Sequence, residues 1–152
     1  MRISIGSDHR GVELKAVLKD QLASLGHSVV DEGPAEPGGS IDYPDIGAKV
    51  GEKVSQHEAE RGILICGSGV GMAITANKFR GVRAAVVGDE KLARLCRQHN
   101  DVNVLCLSGD EPAQAAAPAI VKAWLETEFE GGRHARRVEK IAAIEKTCGP
   151  NA

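Results

Sequence analysis

The sequence predicts an α/β fold in three layers: a five-stranded parallel sheet, helices on both faces, and one extra helix at the C-terminus. Three observations carry that expectation. Short apolar runs alternate five times with longer segments of helical periodicity, and strands joined by helical crossovers lie parallel, with right-handed connections. The runs are short and apolar enough to be buried on both faces. The last helical segment follows Gly131-Gly132 and has no sixth strand to serve, the behaviour of a helix that packs on a partner subunit.

Ile3-Ser4-Ile5-Gly6 reads as the first strand, and Val12 to Leu25 as a helix whose apolar residues are Val12, Leu14, Val17, Leu18, Leu22 and Leu25. Gly26 stops it. The second strand, Ser28 to Asp31, leads into Gly33 to Ser40, where prolines and glycines forbid regular structure and make a connector longer than most. Asp45 to His57 is the next helix, Ile63 to Cys66 the third strand, and Met72 to Phe79 an amphipathic segment. Ala84 to Val87 forms the fourth strand, Glu90 to Gln98 its helix, and Val104 to Leu107 the fifth strand. Pro112 is placed to start a helix that Pro118 perturbs, and Ile120 to Phe129 continues the pattern. The final helix covers Ala135 to Lys146 within a C-terminal segment 133–146, and the whole of 1–152 makes one domain without repeats.

Composition excludes several classes. A net charge of −2 with interspersed signs leaves no basic stripe for nucleic acid. No apolar run approaches the ~20 residues that span a bilayer, so no membrane partner is expected. Four cysteines, at 66, 96, 106 and 148, show no C-x-x-C spacing, and the N-terminus reads as a strand rather than a signal peptide. A reducing cytoplasm follows. Aromatics make up only 3% of the chain, which favours a small polar ligand over a large planar one.

The chemistry concentrates at Gly62 to Gly71, an apolar strand that runs into Cys66 and a glycine-rich turn. Free backbone N–H groups at the start of the following helix make an anion site with a thiol beside it, and ligands in such sheets bind outside the carboxyl ends of the strands. A cysteine there is ordinarily a small buried hydrophobe. Its place ahead of free N–H groups, which stabilise a thiolate, favours a functional role for Cys66; Cys96, Cys106 and Cys148 lack that setting. The turn is no Walker loop, because Gly71 is followed by Met72-Ala73. As a dinucleotide fingerprint it keeps Gly67 and Gly69 but has Met72 at the sixth position, after the third strand rather than the first. A thiol phosphatase would need an arginine where Met72 stands.

Asp8-His9 closes the first strand at the same edge as Cys66, although alone it would be a cap and a surface histidine. Asp42-Tyr43-Pro44 holds the only tyrosine, with a plain helix cap as its simpler explanation. Gln98-His99-Asn100-Asp101 ends a helix before the fifth strand, so His99 projects over a sheet edge; a dipole-favoured histidine would look the same. Arg133, His134, Arg136 and Arg137 form the one concentrated positive cluster. Taken alone they are a solvated face, yet Arg133 and Arg137 at i and i+4 share one side and can grip a single phosphate.

Gly6-Ser7-Asp8-His9, Asp42-Tyr43-Pro44, the Gly62 to Gly71 stretch, Ala76-Asn77-Lys78, Arg97-Gln98-His99-Asn100-Asp101 and Glu130-Gly131-Gly132-Arg133-His134 together resemble the ribose-5-phosphate isomerase B family, which includes galactose-6-phosphate and allose-6-phosphate isomerases. The resemblance covers roughly residues 2 to 146. It implies a Rossmann-like fold, a homodimer or homotetramer with active sites at the dimer interface, and interconversion of ribose 5-phosphate and ribulose 5-phosphate in the pentose phosphate pathway. By it, Cys66 moves the proton between C1 and C2, and the N–H groups of Gly67, Ser68, Gly69, Val70 and Gly71 hold the enediolate. Ser68 lies near a sugar oxygen, His99 opens the furanose ring, and Asp8 handles the other proton. His9, Arg133 and Arg137 bind phosphate, Asn100 sits beside the enediolate oxygens, and Tyr43 lines the pocket; no metal or cofactor is required. One branch of the family uses a glutamate where Met72 stands, so the cysteine branch is implied.

The sequence departs from that pattern after the fifth strand. Many members carry a phosphate-holding arginine there, whereas this chain reads Ser108-Gly109-Asp110-Glu111-Pro112, and two carboxylates would repel a phosphate. Another sugar phosphate with four or six carbons therefore stays open as substrate. So does a non-catalytic flavodoxin-like module that binds a phosphorylated ligand.

Overall fold

Alternation along the strands divides the protein into two cores. In β1 (Arg2–Ser7) and β3 (Arg61–Cys66), successive side chains point to opposite faces. Ile3, Ile5, Ile63 and Ile65 enter one apolar cluster with Leu14, Leu18, Leu22, Val121 and Trp124. Leu64 and Cys66 enter the other with Ile46, Val50, Val54 and Met72. The computed structural model describes residues 1–148; the last four residues of the expected domain lie outside them.

Among the described residues the remaining elements are α1 (Val12–Ser24), β2 (Ser28–Asp31), α2 (Tyr43–Ser55), α3 (Val70–Ala76), β4 (Ala84–Val86), α4 (Glu90–Asn100), β5 (Val104–Ser108), α5 (Ala117–Glu126) and α6 (Gly132–Thr147). The five strands pair in parallel in the order β2-β1-β3-β5-β4. Residues of α1, α4 and α5 fill one core and those of α2 and α3 the other, which gives the three layers that the alternation predicts. The order turns back between β1 and β3, with β2 outside one and β5 outside the other. That reversal opens a crevice at their carboxyl ends, where Asp8 and Cys66 lie. No helix of the described residues is long and apolar enough to cross a membrane.

Several boundaries move from the sequence expectation, each for a local reason. Helix α2 begins at Tyr43 rather than Asp45, because Pro44 fits the first helical turn, where its missing N–H costs nothing. Helix α3 starts at Val70, directly after a left-handed Gly69, and ends at Ala76. There the Asn77 side chain bonds both the N–H and the carbonyl of Ala84. Pro118 perturbs nothing: a 3-10 turn at Ala113–Ala116 precedes α5, and the proline falls in its first turn. Helix α5 stops at Glu126, since Thr127 is extended. Its C-terminal end is pinned where Trp124 donates to the Val102 carbonyl, while Arg61 lies over the indole and donates to the Trp124 carbonyl.

One buried charge anchors the start of the long loop. Lys15 is 2% exposed and its ammonium meets the Asp31 carboxylate at 2.5 Å, with Lys19 on the other oxygen at 2.6 Å and the Pro34 carbonyl as a further acceptor. Burial alone would raise the Asp31 carboxyl, but hydrogen bonds from Lys15, Lys19 and the Gly33 amide bring it below the ordinary carboxylate value. A depressed folded-state pKa contributes stability that is complete above the unfolded value of about 3.9 and lost as pH falls through the lower folded value. Asp31→Asn is therefore expected to lower stability at pH 7 by about 1–3 kcal/mol, since it strands the Lys15 ammonium, and to flatten the acid limb below about pH 4. Urea melts from pH 7 to pH 2 check both; a variant with the parent's stability at pH 7 refutes the anchor.

Candidate active site

The turn after β3 is built around the sulfur of Cys66. Gly69 takes a left-handed backbone, φ +78°, and a Cβ there would stand 3.2 Å from the Leu107 carbonyl carbon and oxygen. Only glycine fits without displacing β5. That turn aims the Gly69 N–H at Cys66 Sγ, 3.2 Å away, with the side chain 5% exposed. The next amide, Val70, donates to Ser68 Oγ at 3.3 Å. The N–H groups of Gly67, Ser68 and Gly71 meet no acceptor among the described residues, at the end of α3 where the peptide dipoles favour negative charge. Gly69 serves the sulfur and Val70 the serine, leaving three amides for a ligand.

Three neighbours complete this pole. Asp8 is held by its own N–H on the Ile65 carbonyl, 3.0 Å, and its Oδ1 accepts the Arg10 N–H at 2.8 Å; its side chain is nearly buried. His9 is exposed, and its Nδ1 accepts the Ile41 amide from the long loop. Tyr43 lies against the turn: a Cβ on Gly71 would stand 2.6 Å from its ring. Of the other thiols, burial pushes Cys96 up to about 11. Burial first and the neighbouring Cys66 second push Cys106 still higher, consistent with their expected inertness.

His99, Asn100, Arg133 and Arg137 are elsewhere in the same chain. A crossover helix runs opposite to its strands, so α4 carries His99 and Asn100 back to the amino edge of the sheet, where β5 begins. Helix α5 returns to that edge too, as the Arg61 bonds to its last carbonyls require. The Glu130 amide then bonds the Gln98 carbonyl, bringing the start of α6 beside His99. His99 does project over a sheet edge, but it is the edge opposite Cys66, about 20 Å away along β3 at ~3.3 Å per residue. Arg133 and Arg137 are exposed in the first turns of α6.

His134, singled out by the sequence only as part of the basic cluster, is the centre of this second group. Its ring stacks on His99 with centroids 4.3 Å apart and planes within 8°, while Glu130 and Arg133 each approach its Nε2 at 3.5 Å. Burial, then the neighbouring His99 and Arg133, hold its pKa below the ordinary 6.5. Nothing in the spacing of Glu130 and His134 signals the stack, which requires α4 to be adjacent. His99, Glu130 and His134 bring ligand atoms within 4.8 Å of one another. Stacked rings point their in-plane lone pairs alongside each other rather than at one centre, and Arg133 brings a positive charge to His134 Nε2, both of which disfavour a metal ion there.

The chain is similar over nearly its whole length to proteins of one kind. A model of the family described as Ribose/Galactose Isomerase matches residues 3–141. The ribose-5-phosphate isomerase B of Escherichia coli is 44% identical over 145 residues, 95% of this chain and 97% of that one. The solved ribose-5-phosphate isomerase B of Clostridium thermocellum superposes with a TM-score of 0.94 at 48% identity, covering 98% of this chain and 100% of the other. The Mycoplasma genitalium enzyme, solved with bound ribulose-5-phosphate, gives 0.92 at 45% identity, covering 95% and 96%.

Gly69→Ala is expected to cost about 1–3 kcal/mol, the range for a side chain forced into the left-handed backbone region, read as a lower denaturant midpoint. An unchanged midpoint would show that the turn accepts a side chain.

Proposed function

The chain belongs to the ribose/galactose isomerase family, and on that premise we propose that it interconverts ribose 5-phosphate and ribulose 5-phosphate through an enediolate, with Cys66 as the base. The observation that carries this reading is the cysteine sulfur on the Gly69 amide, ringed by the unspent amides of Gly67, Ser68 and Gly71. A thiolate there takes the proton from C2 of the aldose. The negative charge that develops on the two sugar oxygens falls on the free amides, where it is greatest in the transition state. Cys66 then returns the proton to C1, while Asp8 handles the hydroxyl proton and Ser68 contacts a sugar oxygen. The bonds made and broken balance without an oxidant or a cofactor.

The remaining roles need a second subunit. In our reading His99 of one protomer opens the furanose ring bound at its partner's Cys66, and Asn100 stands beside the enediolate oxygens. Arg133 and Arg137 close on a phosphate that His9 holds from the other side, and Tyr43 walls the pocket. Two apolar patches support the pairing. Val70 and Ile74, 50% and 58% exposed, share one face of α3 beside the thiol, and Ile141 and Ile144, 51% and 61% exposed, continue the Arg137 side of α6. A two-fold dimer that seats one pole on the other covers both patches twice and builds two sites. The four free cysteines accord with a cytoplasmic setting.

Cys66→Ala is expected to reduce turnover below a tenth of the parent's while leaving substrate affinity within about tenfold, because the thiolate acts mainly in the transition state. Assays across tetrose, pentose and hexose phosphates test this and rank the substrates together; a variant keeping more than a tenth of turnover removes Cys66 from the role. Mixing inactive Cys66→Ala and His99→Ala proteins is expected to restore roughly a quarter of the parent's sites after random exchange, since half the dimers are mixed and each has one intact site. No recovery despite demonstrated exchange would place both residues in a site made by one chain.

A further inference from the structure

We propose that Arg10, oriented by Asp110, is a phosphate-binding residue supplied by the same subunit as Cys66. The inference rests on the reading that the site takes a sugar phosphate. By its sequence the loop Ser108 to Pro112 is inhospitable to a phosphate. The carboxylates there are not turned on the crevice. Asp110 Oδ1 accepts Arg10 Nε at 3.0 Å and Oδ2 accepts Nη2, while Glu111 is engaged by the Gln114 amide. The acidic loop therefore presents a guanidinium where it would otherwise present a negative charge.

Contacts of the Arg10 backbone and of its side chain together place that guanidinium. The Arg10 N–H is held by Asp8 Oδ1, and the Arg10 carbonyl lies 2.8 Å from where a Gly109 Cβ would be, so the loops after β1 and β5 are in contact. Arg10 Cζ and Nη1 lie 3.2 Å from where a Gly67 Cβ would be, which sets the plane of the guanidinium against the amide turn that follows Cys66. Asp110 occupies the Nε–Nη2 edge. The Nη1–Nη2 edge has no acceptor among the described residues, and the side chain is 55% exposed.

An ordinary surface ion pair is the simpler explanation, and such pairs contribute about 0–1 kcal/mol. It leaves unexplained why the pair lies on the anion turn with one fork edge unspent. A guanidinium offers two edges to oxyanions, each able to give two parallel N–H bonds. Here the carboxylate on one edge holds the other in a set direction, against Gly67 at the start of the amide turn. Arg10 thus supplies one wall of a phosphate clamp whose other wall, in the dimer proposed above, is Arg133 and Arg137 of the second subunit. Asp110 acts only through Arg10 and is a positioning residue.

The test measures KM, kcat, competitive inhibition by inorganic phosphate and thermal midpoint for the full-length protein and for Arg10→Ala, Arg10→Lys and Asp110→Asn. Arg10→Ala is expected to raise KM and the phosphate inhibition constant together by about ten- to a hundredfold, the loss of a charge-assisted bidentate contact. Arg10→Lys should recover part of that loss, and Asp110→Asn should show a smaller rise in both constants. Unchanged KM and phosphate inhibition in Arg10→Ala would reduce the pair to a surface contact. A fall in kcat with phosphate inhibition intact would place Arg10 on the reacting carbons and overturn the assignment. Should no sugar phosphate turn over at all, the functional reading fails by itself. Direct calorimetric binding of inorganic phosphate to the parent and Arg10→Ala proteins then still decides for or against Arg10.

Discussion

All five strands run in one direction, and that constraint sorts the chain into two chemical poles. Parallel strands deliver their C-terminal residues, Asp8 after β1, Cys66 at the end of β3 and Asp110 after β5, to one edge. The connecting helices must return to the opposite edge before the next strand can start, so the ends of α4 and α5 collect His99, Glu130 and His134 there. No side-chain rearrangement within one protomer closes a separation set by strand length. The nucleophile pole carries a thiol and free amides with few positive charges; the other carries arginines and histidines with no nucleophile beside them.

At the nucleophile pole the limiting resource is backbone N–H groups. A tight turn exposes several, and the left-handed Gly69 decides how they are divided. One points inward at Cys66 Sγ, one is taken by Ser68 Oγ, and those of Gly67, Ser68 and Gly71 remain. The amide on sulfur holds Sγ against the turn, while the free amides favour an oxyanion outside it. Holding base and intermediate on the same turn fixes their relative positions, and proton transfer depends on that geometry more than on affinity.

What the sequence makes legible follows from the range of the interactions involved. Strands such as Ile63 to Cys66 are visible because burial on both faces demands an apolar run, and Cys66 stands out because a thiol ahead of glycines has few uses. Helix ends are less visible: the start of α3 at Val70 depends on a left-handed Gly69 that is strained for other residues but unmarked as such among neighbouring glycines. His99 could be placed at a sheet edge, and the direction of its crossover helix settles which one. The stack of His134 on His99 joins α6 to α4, and the Arg10–Asp110 pair joins residues 100 positions apart. Neither leaves a periodicity or spacing in the sequence, because each arises from packing between elements that only the folded chain brings together.

The second pole crowds charge of one sign at a helix end. Arg133, Arg136 and Arg137 within the first turns of α6 repel one another and lie near its N-terminal end, where the peptide dipoles already disfavour cations. In an isolated protomer that arrangement is kept tolerable by exposure to water and by Glu130. A phosphate brought by another subunit's site would relieve the repulsion, so the same cluster that weakens the helix end strengthens association when ligand is present. In the dimer proposed above, substrate binding and dimer stability are linked through one ion, and each favours the other by the same free energy.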